Sequence, residues 1–451
     1  TFFYSNYTQF VYNSLLFLGR DLYMIKEKLS GIFIFISFIL TLYSYFLQND
    51  FLIIASLFVW LSFAFIFPTL KDKKILLILM FFSFMAYTIC LYNDFKIDYI
   101  KVFTVNQYLL TLLIGVVFLR LIAIPKKEKN IVFPKGKNSF IKTYLGVHLF
   151  GSVINLSSLI LVADKMYKKS PLTNAQIVLL TRSFASDAYW SPFFVSFAAA
   201  TTYAPNLNTS LIMLNGIILA LVAFIITYID VTKNKEFDIQ NFYGYPLSLE
   251  NLYLPVILAT LVLVTNHFYP DAKVIILVSL FSISMVFVLL PFKTSLNEAR
   301  KLIKKHILYE LPKMKSELSL FLVAGVFGVL VGSILIGLNL SLPFKIFDWQ
   351  IASILLLIFI FLAFIGVHPI ITIAIIGDYL NGVNHTLLAL TFLMAWSTTV
   401  STSPFSGLNM TIVARYDFSS KEIFRLNIFY ALKMYLICIL CLFILSKYLN
   451  L

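Results

Sequence analysis

An all-α, polytopic membrane protein is the fold class this sequence predicts, and three observations predict it. First, 60% of the 451 residues are apolar or aromatic and only 12% are charged, about half the roughly 25% charge share of soluble domains. Second, the apolar residues fall in long runs near the ~20 residues that a membrane-spanning helix needs. Third, Lys and Arg gather between those runs. Together these exclude a soluble globular enzyme, a disordered chain and a nucleic-acid-binding domain. The net charge of +14 reads first as membrane topology, because cations stay in cytoplasmic loops.

Taken in order, residues 1–30 hold a short apolar piece without a cleavable signal pattern. Simple apolar runs then follow at 31–47, 52–70, 75–92, 106–124, 139–163, 209–229, 251–267, 274–291, 318–338, 347–382 and 426–446. The run 347–382 is too long for one straight span and predicts a break near Gly366–Pro369. The segment 292–316 places Leu302, Ile303 and Ile307 at helical spacing among cations, which predicts a basic amphipathic connector on the cytoplasmic surface. Cys90, Cys438 and Cys441 all sit inside apolar runs, so they read as packing residues and predict no disulfide.

Two stretches, 174–205 and 387–414, fail as simple spans because Ser, Thr, Pro and Gly interrupt them. They are expected to enter and leave the membrane on one side, as re-entrant hairpins. With eleven single crossings, the loops hold 23 cations on one side and 8 on the other. This puts the N-terminus in the cytoplasm. Lys165, Lys168 and Lys169 are the local exception, on the cation-poor side.

An internal repeat follows. Gly146-Val147-His148 recurs as Gly366-Val367-His368, and Ser191-Pro192-Phe193 recurs as Ser403-Pro404-Phe405. The alternating loops give the two copies opposite orientation, a sign of secondary transporters. Four parts result. They are N-terminal scaffold and dimerisation helices (1–105), a first inverted repeat with hairpin 174–205 (106–250), connecting helices with the amphipathic linker (251–317), and a second inverted repeat with hairpin 387–414 (318–451).

The broken stretches are expected to carry the chemistry, because irregular backbone at membrane depth survives only inside protein or beside a cavity. Half-helix N-termini favour anions, and freed carbonyls suit a cation. The expected substrate contacts are Arg182, Ser183, Ser186, Ser191, Thr399, Ser401, Thr402, Ser403 and Asn409. Charge inside a membrane is expensive, so Arg182 is the candidate for meeting an anion. The alternative is an Arg182–Asp187 ion pair holding the hairpin. The expected ion-coupling residues are Asp187, Asn155, Ser157, Asp378 and Thr411. His148 and His368 lack companions at metal-ligand spacing, so no metal or other cofactor is expected beyond Na⁺ or H⁺ as coupling ion.

On Ser401-Thr402-Ser403-Pro404 with Asn409, and Ser191-Pro192 as the first-half counterpart, the arrangement resembles the ion transporter superfamily. That group includes the divalent-anion/sodium symporters and the large membrane subunits of tripartite transporters. The resemblance covers residues ~106–446. It implies two inverted repeats, a homodimer, and elevator motion coupled to Na⁺ or H⁺. The expected function is secondary active transport of a small carboxylate-type anion across a bacterial inner membrane, with no enzymatic activity. An efflux carrier or cation/proton antiporter on the same scaffold is the alternative. A membrane polysaccharide polymerase or ligase fits less well, because the outer loops hold few catalytic candidates.

Overall fold

The computed structural model describes residues 2–47, 50–70, 73–123, 133–245, 253–340 and 342–451; the side chains of residues 2–23, Ser157 and Pro255 fall outside that description. The described residues are helical, with one isolated β-bridge between Lys135 and Tyr243. Eight described helices are long and apolar enough to cross a membrane, which fits a multi-pass integral membrane protein.

The first helices are α1 (Phe2–Leu47), α2 (Phe51–Ile66), α3 (Lys74–Tyr92), α4 (Tyr99–Thr104), α5 (Gln107–Phe118) and α6 (Arg120–Ala123). The first repeat unit follows as α7 (Lys137–Ile154), α8 (Leu156–Tyr167), α9 (Asn174–Ala185), α10 (Val195–Tyr203) and α11 (Thr209–Lys233). Helices α12 (Tyr253–Phe268), α13 (Val274–Lys293), α14 (Leu296–Lys305) and α15 (Lys315–Gly337) lead to the second unit. That unit comprises α16 (Trp349–Phe364), α17 (Pro369–Tyr379), α18 (His385–Thr402), α19 (Gly407–Arg415) and α20 (Ser420–Tyr448). The amphipathic connector forms as α14, with Ser295 capping its first turn through Glu298 N–H. The glycines of α15 pack closely against their neighbours. A Cβ at Gly328 would overlap Ala374 of α17.

The two units share one element order, but the sequence assigned their parts the wrong way round. In the first unit α7 and α8 return to the end they started from. Gly136 N donates to Phe242 O (2.8 Å) at the start of α7, and Ser170 Oγ lies 2.5 Å from Tyr243 Oη just beyond α8. The expected hairpin 174–205 instead runs the length of α11 in the opposite direction. Gln176 binds Tyr243 O at one end, Arg182 meets Asp230, Tyr189 packs on Gly216, and Asn208 N reaches Thr386 at the far end. It is a broken helix running end to end beside α11 rather than a hairpin. The single span expected at 139–163 is the hairpin.

The second unit repeats this from the opposite end. Trp349 N donates to Ser446 Oγ (3.3 Å), and Tyr379 Oη donates to Leu340 O (3.0 Å), so α16 and α17 both open toward the end where α15 finishes. The broken pair α18–α19 then runs from the Asn208 contact to Asp164 at the Tyr243 end, where Arg415 ends it with a 2.7 Å ion pair.

The physical reason for the misassignment lies at the hairpin tips. Asn155 breaks α7–α8 at φ 57°, ψ −152°, a backbone region nearly exclusive to glycine. No proline marks it, so the run reads as one span. Gly366 occupies the matching position at φ 104°. Asn155 and Gly366 are 211 residues apart, and Ser191 and Ser403 are 212 apart. The Gly-Val-His triplets, at an offset of 220, are therefore out of register. His148 sits inside α7, whereas His368 caps α17 through Ile370 N–H.

Candidate functional site

Each unit ties its hairpin tip to the break of its own broken helix with one serine. Ser191 Oγ donates to Ser152 O (2.5 Å) and accepts from Phe193 N (3.2 Å). Ser403 Oγ donates to Ala363 O (2.7 Å) and accepts from Phe405 N (3.2 Å). Each acceptor carbonyl lies three residues before its tip. The prolines that follow both serines explain the breaks, since Pro cannot supply the N–H that would continue the helix.

The first break lies against α18, five to six residues ahead of the second break. Ser397 Oγ donates to Ala185 O (2.8 Å), and Tyr189 Oη lies 3.5 Å from Thr398 Oγ1. Around the second break a small cavity of about 30 Å³ is lined by His368, Trp396, Thr399, Ser403 and Ser406 among others. That is room for one or two waters. The N-termini of α17 and α19 both border it.

Arg182 departs from expectation. Its Nε donates to Asn427 Oδ1, its Nη1 to Asp230 Oδ2 and its Nη2 to Leu426 O, all at 2.9 Å. Its guanidinium lies over the Tyr430 ring at 4.3 Å. Three of five donors and one face are committed to α11 and α20, so Arg182 ties α9 to both helices. The alternative Arg182–Asp187 pair does not form either. Asp230 also takes Lys433 Nζ at 2.5 Å.

Asp187 turns instead to His148 of α7. Its Oδ1 lies 2.7 Å from His148 Nδ1, and the carboxylate is 0% exposed. The ring N–H is directed at Ser183 O (3.1 Å), however, so neither carboxylate oxygen receives an aligned hydrogen bond. Trp190 Nε1 donates to His148 Nε2 (3.2 Å), and Ser186 Oγ sits 2.9 Å from Nδ1.

The remaining expected residues divide clearly. Ser183 and Thr399 bond back to their own helices. Ser401 and Thr402 pair hydroxyls (3.1 Å), and Ser401 O accepts Nδ2 of both Asn409 and Asn427. Asn409 is fully buried, and its Oδ1 has no partner. Thr411 bonds back to Gly407 O on its own helix. Asp378 lies at the far end of α17, paired with Lys101 Nζ at 2.8 Å and away from the break. The Ser157 side chain lies outside the described residues. Sequence reasoning passed over Trp190, Asp230 and Asn427 as site residues. Asp230 offered the one available signal, an acid near the end of an apolar run.

No protein-family model matches the chain, and no curated protein matches it. The functional reading therefore rests on the geometry above.

Proposed function

We propose that the protein is a secondary active transporter for a small organic anion, coupled to Na⁺ or H⁺. The observation that carries this reading is a pair of helix breaks, each held by a hairpin tip, in units that open toward opposite ends. In this reading the membrane contains eleven crossings and two re-entrant hairpins, α7–α8 and α16–α17. Lys165, Lys168 and Lys169 then join the cation-rich side, and the loop count moves from 23 against 8 to 26 against 5. That supports a cytoplasmic N-terminus. With Arg182 committed, an anion would rest on the half-helix N-termini of α17 and α19. Elevator motion of the two units against α1–α6, α12, α13 and α15, in a homodimer of a bacterial inner membrane, completes the proposal.

The committed Arg182 and the buried Asp187 favour one second reading, a cation/proton antiporter on the same scaffold. Thermal unfolding of the purified protein with a panel of mono- and dicarboxylates, with and without Na⁺, separates the two. A bound ligand stabilises the folded state by mass action. Stabilisation by one carboxylate class is the expected result. No response to any carboxylate, with Na⁺-driven proton movement in vesicles, overturns the anion reading.

A further inference from the structure

We propose that His148 and Asp187 form a proton-binding site, which makes H⁺ the coupling ion of the transporter reading above. The inference rests on that reading for the word coupling, and on the site's own geometry for the proton.

Asp187 is 0% exposed, and both its oxygens lack an aligned donor. A bare carboxylate in so dry a place is costly unless it is neutralised or paired. A metal cation is a poor candidate for that role. Oxygen-liganded cations take about six oxygens around them. The space beside Asp187 Oδ2 is occupied by the backbone of Gly151 and the ring of Phe184 instead. Among the described residues no cluster of His, Cys, Asp or Glu has metal-holding geometry.

The proton fits. Trp190 N–H keeps His148 Nε2 as an acceptor, so the neutral ring carries its hydrogen on Nδ1. With Asp187 ionised the pair carries −1. One added proton, taken up by the Asp187 carboxylate while Nδ1 keeps its hydrogen, brings it to zero, and the buried site loses its charge. Release returns the proton to water and restores −1.

Other ionisable groups around the pair are already engaged. Tyr144 of α7 faces Ser186 Oγ at 3.4 Å. Arg182 of α9 points away to Asp230 of α11, with Tyr430 and Lys433 of α20 beyond it. From α10 and α18 the neighbours are hydroxyls, Ser196 on Ala188 O, Ser397 on Ala185 O and Thr398 near Tyr189.

Infrared difference spectroscopy of the detergent-purified full chain, titrated in pH, reads the site without any substrate. The expected result is a protonated-carboxyl band that titrates, disappears in Asp187→Asn and shifts in His148→Gln. Gly151→Ala, which pushes a methyl group into Asp187 Oδ2, should shift it as well. Thermal unfolding confirms that each variant is folded. Absence of an Asp187 band at every pH, or its removal by Na⁺ at constant pH, overturns the proposal. A second arm uses proteoliposomes with an internal pH dye and added carboxylates. A normal band without proton flux leaves the proton site standing and sinks the transport reading. Na⁺-dependent carboxylate uptake without a band does the reverse.

Discussion

Replacing Arg182 by alanine tests whether this buried cation is a structural clamp or an anion contact. The substitution removes three 2.9 Å hydrogen bonds and the stack on Tyr430. It strands Asn427 Oδ1 and leaves Asp230 with Lys433 alone. Deleting one partner of a buried charged pair costs about 3–5 kcal/mol. Asp230 is 19% exposed and keeps its second cation, so the expected loss lies near the lower end, about 3 kcal/mol. Denaturant unfolding in micelles measures it. A cycle with Asp230→Asn should be strongly non-additive, because one variant already breaks the shared bond. If Arg182→Ala unfolds like the wild type yet no longer responds to carboxylates, the clamp is wrong and Arg182 meets the anion.

Three further outcomes follow from the same geometry. Asn155→Gly relieves a glycine-only conformation and should raise stability by about 1 kcal/mol, whereas Gly366→Ala should lower it by a similar amount; thermal unfolding reads both. In a background without Cys90, Cys438 and Cys441, single cysteines at Lys169 and Lys235 should label from one side of the membrane, and those at Asn206 and Asn381 from the other. Labelling of Lys169 together with Asn206 would restore the hairpin first expected at 174–205. Lys101→Met should change stability by no more than about 1 kcal/mol, because the Lys101–Asp378 pair is partly exposed; denaturant titration checks it.

The sequence disclosed the helical membrane class and the residues at both helix breaks. It did so because proline leaves a chemical mark wherever it stands. Ser191-Pro192 and Ser403-Pro404 were therefore visible. The tip at Gly366 was also visible, since Gly and Pro flank it. Asn155 was not, because nothing in an apolar run distinguishes an asparagine facing a neighbour from one that reverses the chain. That single omission exchanged hairpin for crossing helix in the first unit, and the inverted pairing carried the exchange into the second. The partners of Arg182 were hidden for another reason. Asp230 and Asn427 lie 48 and 245 residues away along the chain, and only packing brings them together.

The serine tethers have a mechanical consequence. A tip that swings away from its crossing helix must leave the carbonyl of Ser152 or Ala363 without its donor, deep in a region poor in water. Each tip and its neighbouring break are thus riveted into one stiff piece, and a hinge at either tip is disfavoured. Freedom is left at the seams where such a piece touches the rest of the bundle. There the joints are Tyr203 on Asn106, Lys101 on Asp378, Tyr379 on Leu340 and the close glycine packing of α15 on α17. Under the transport reading, each tip and its break would therefore have to move together as one body.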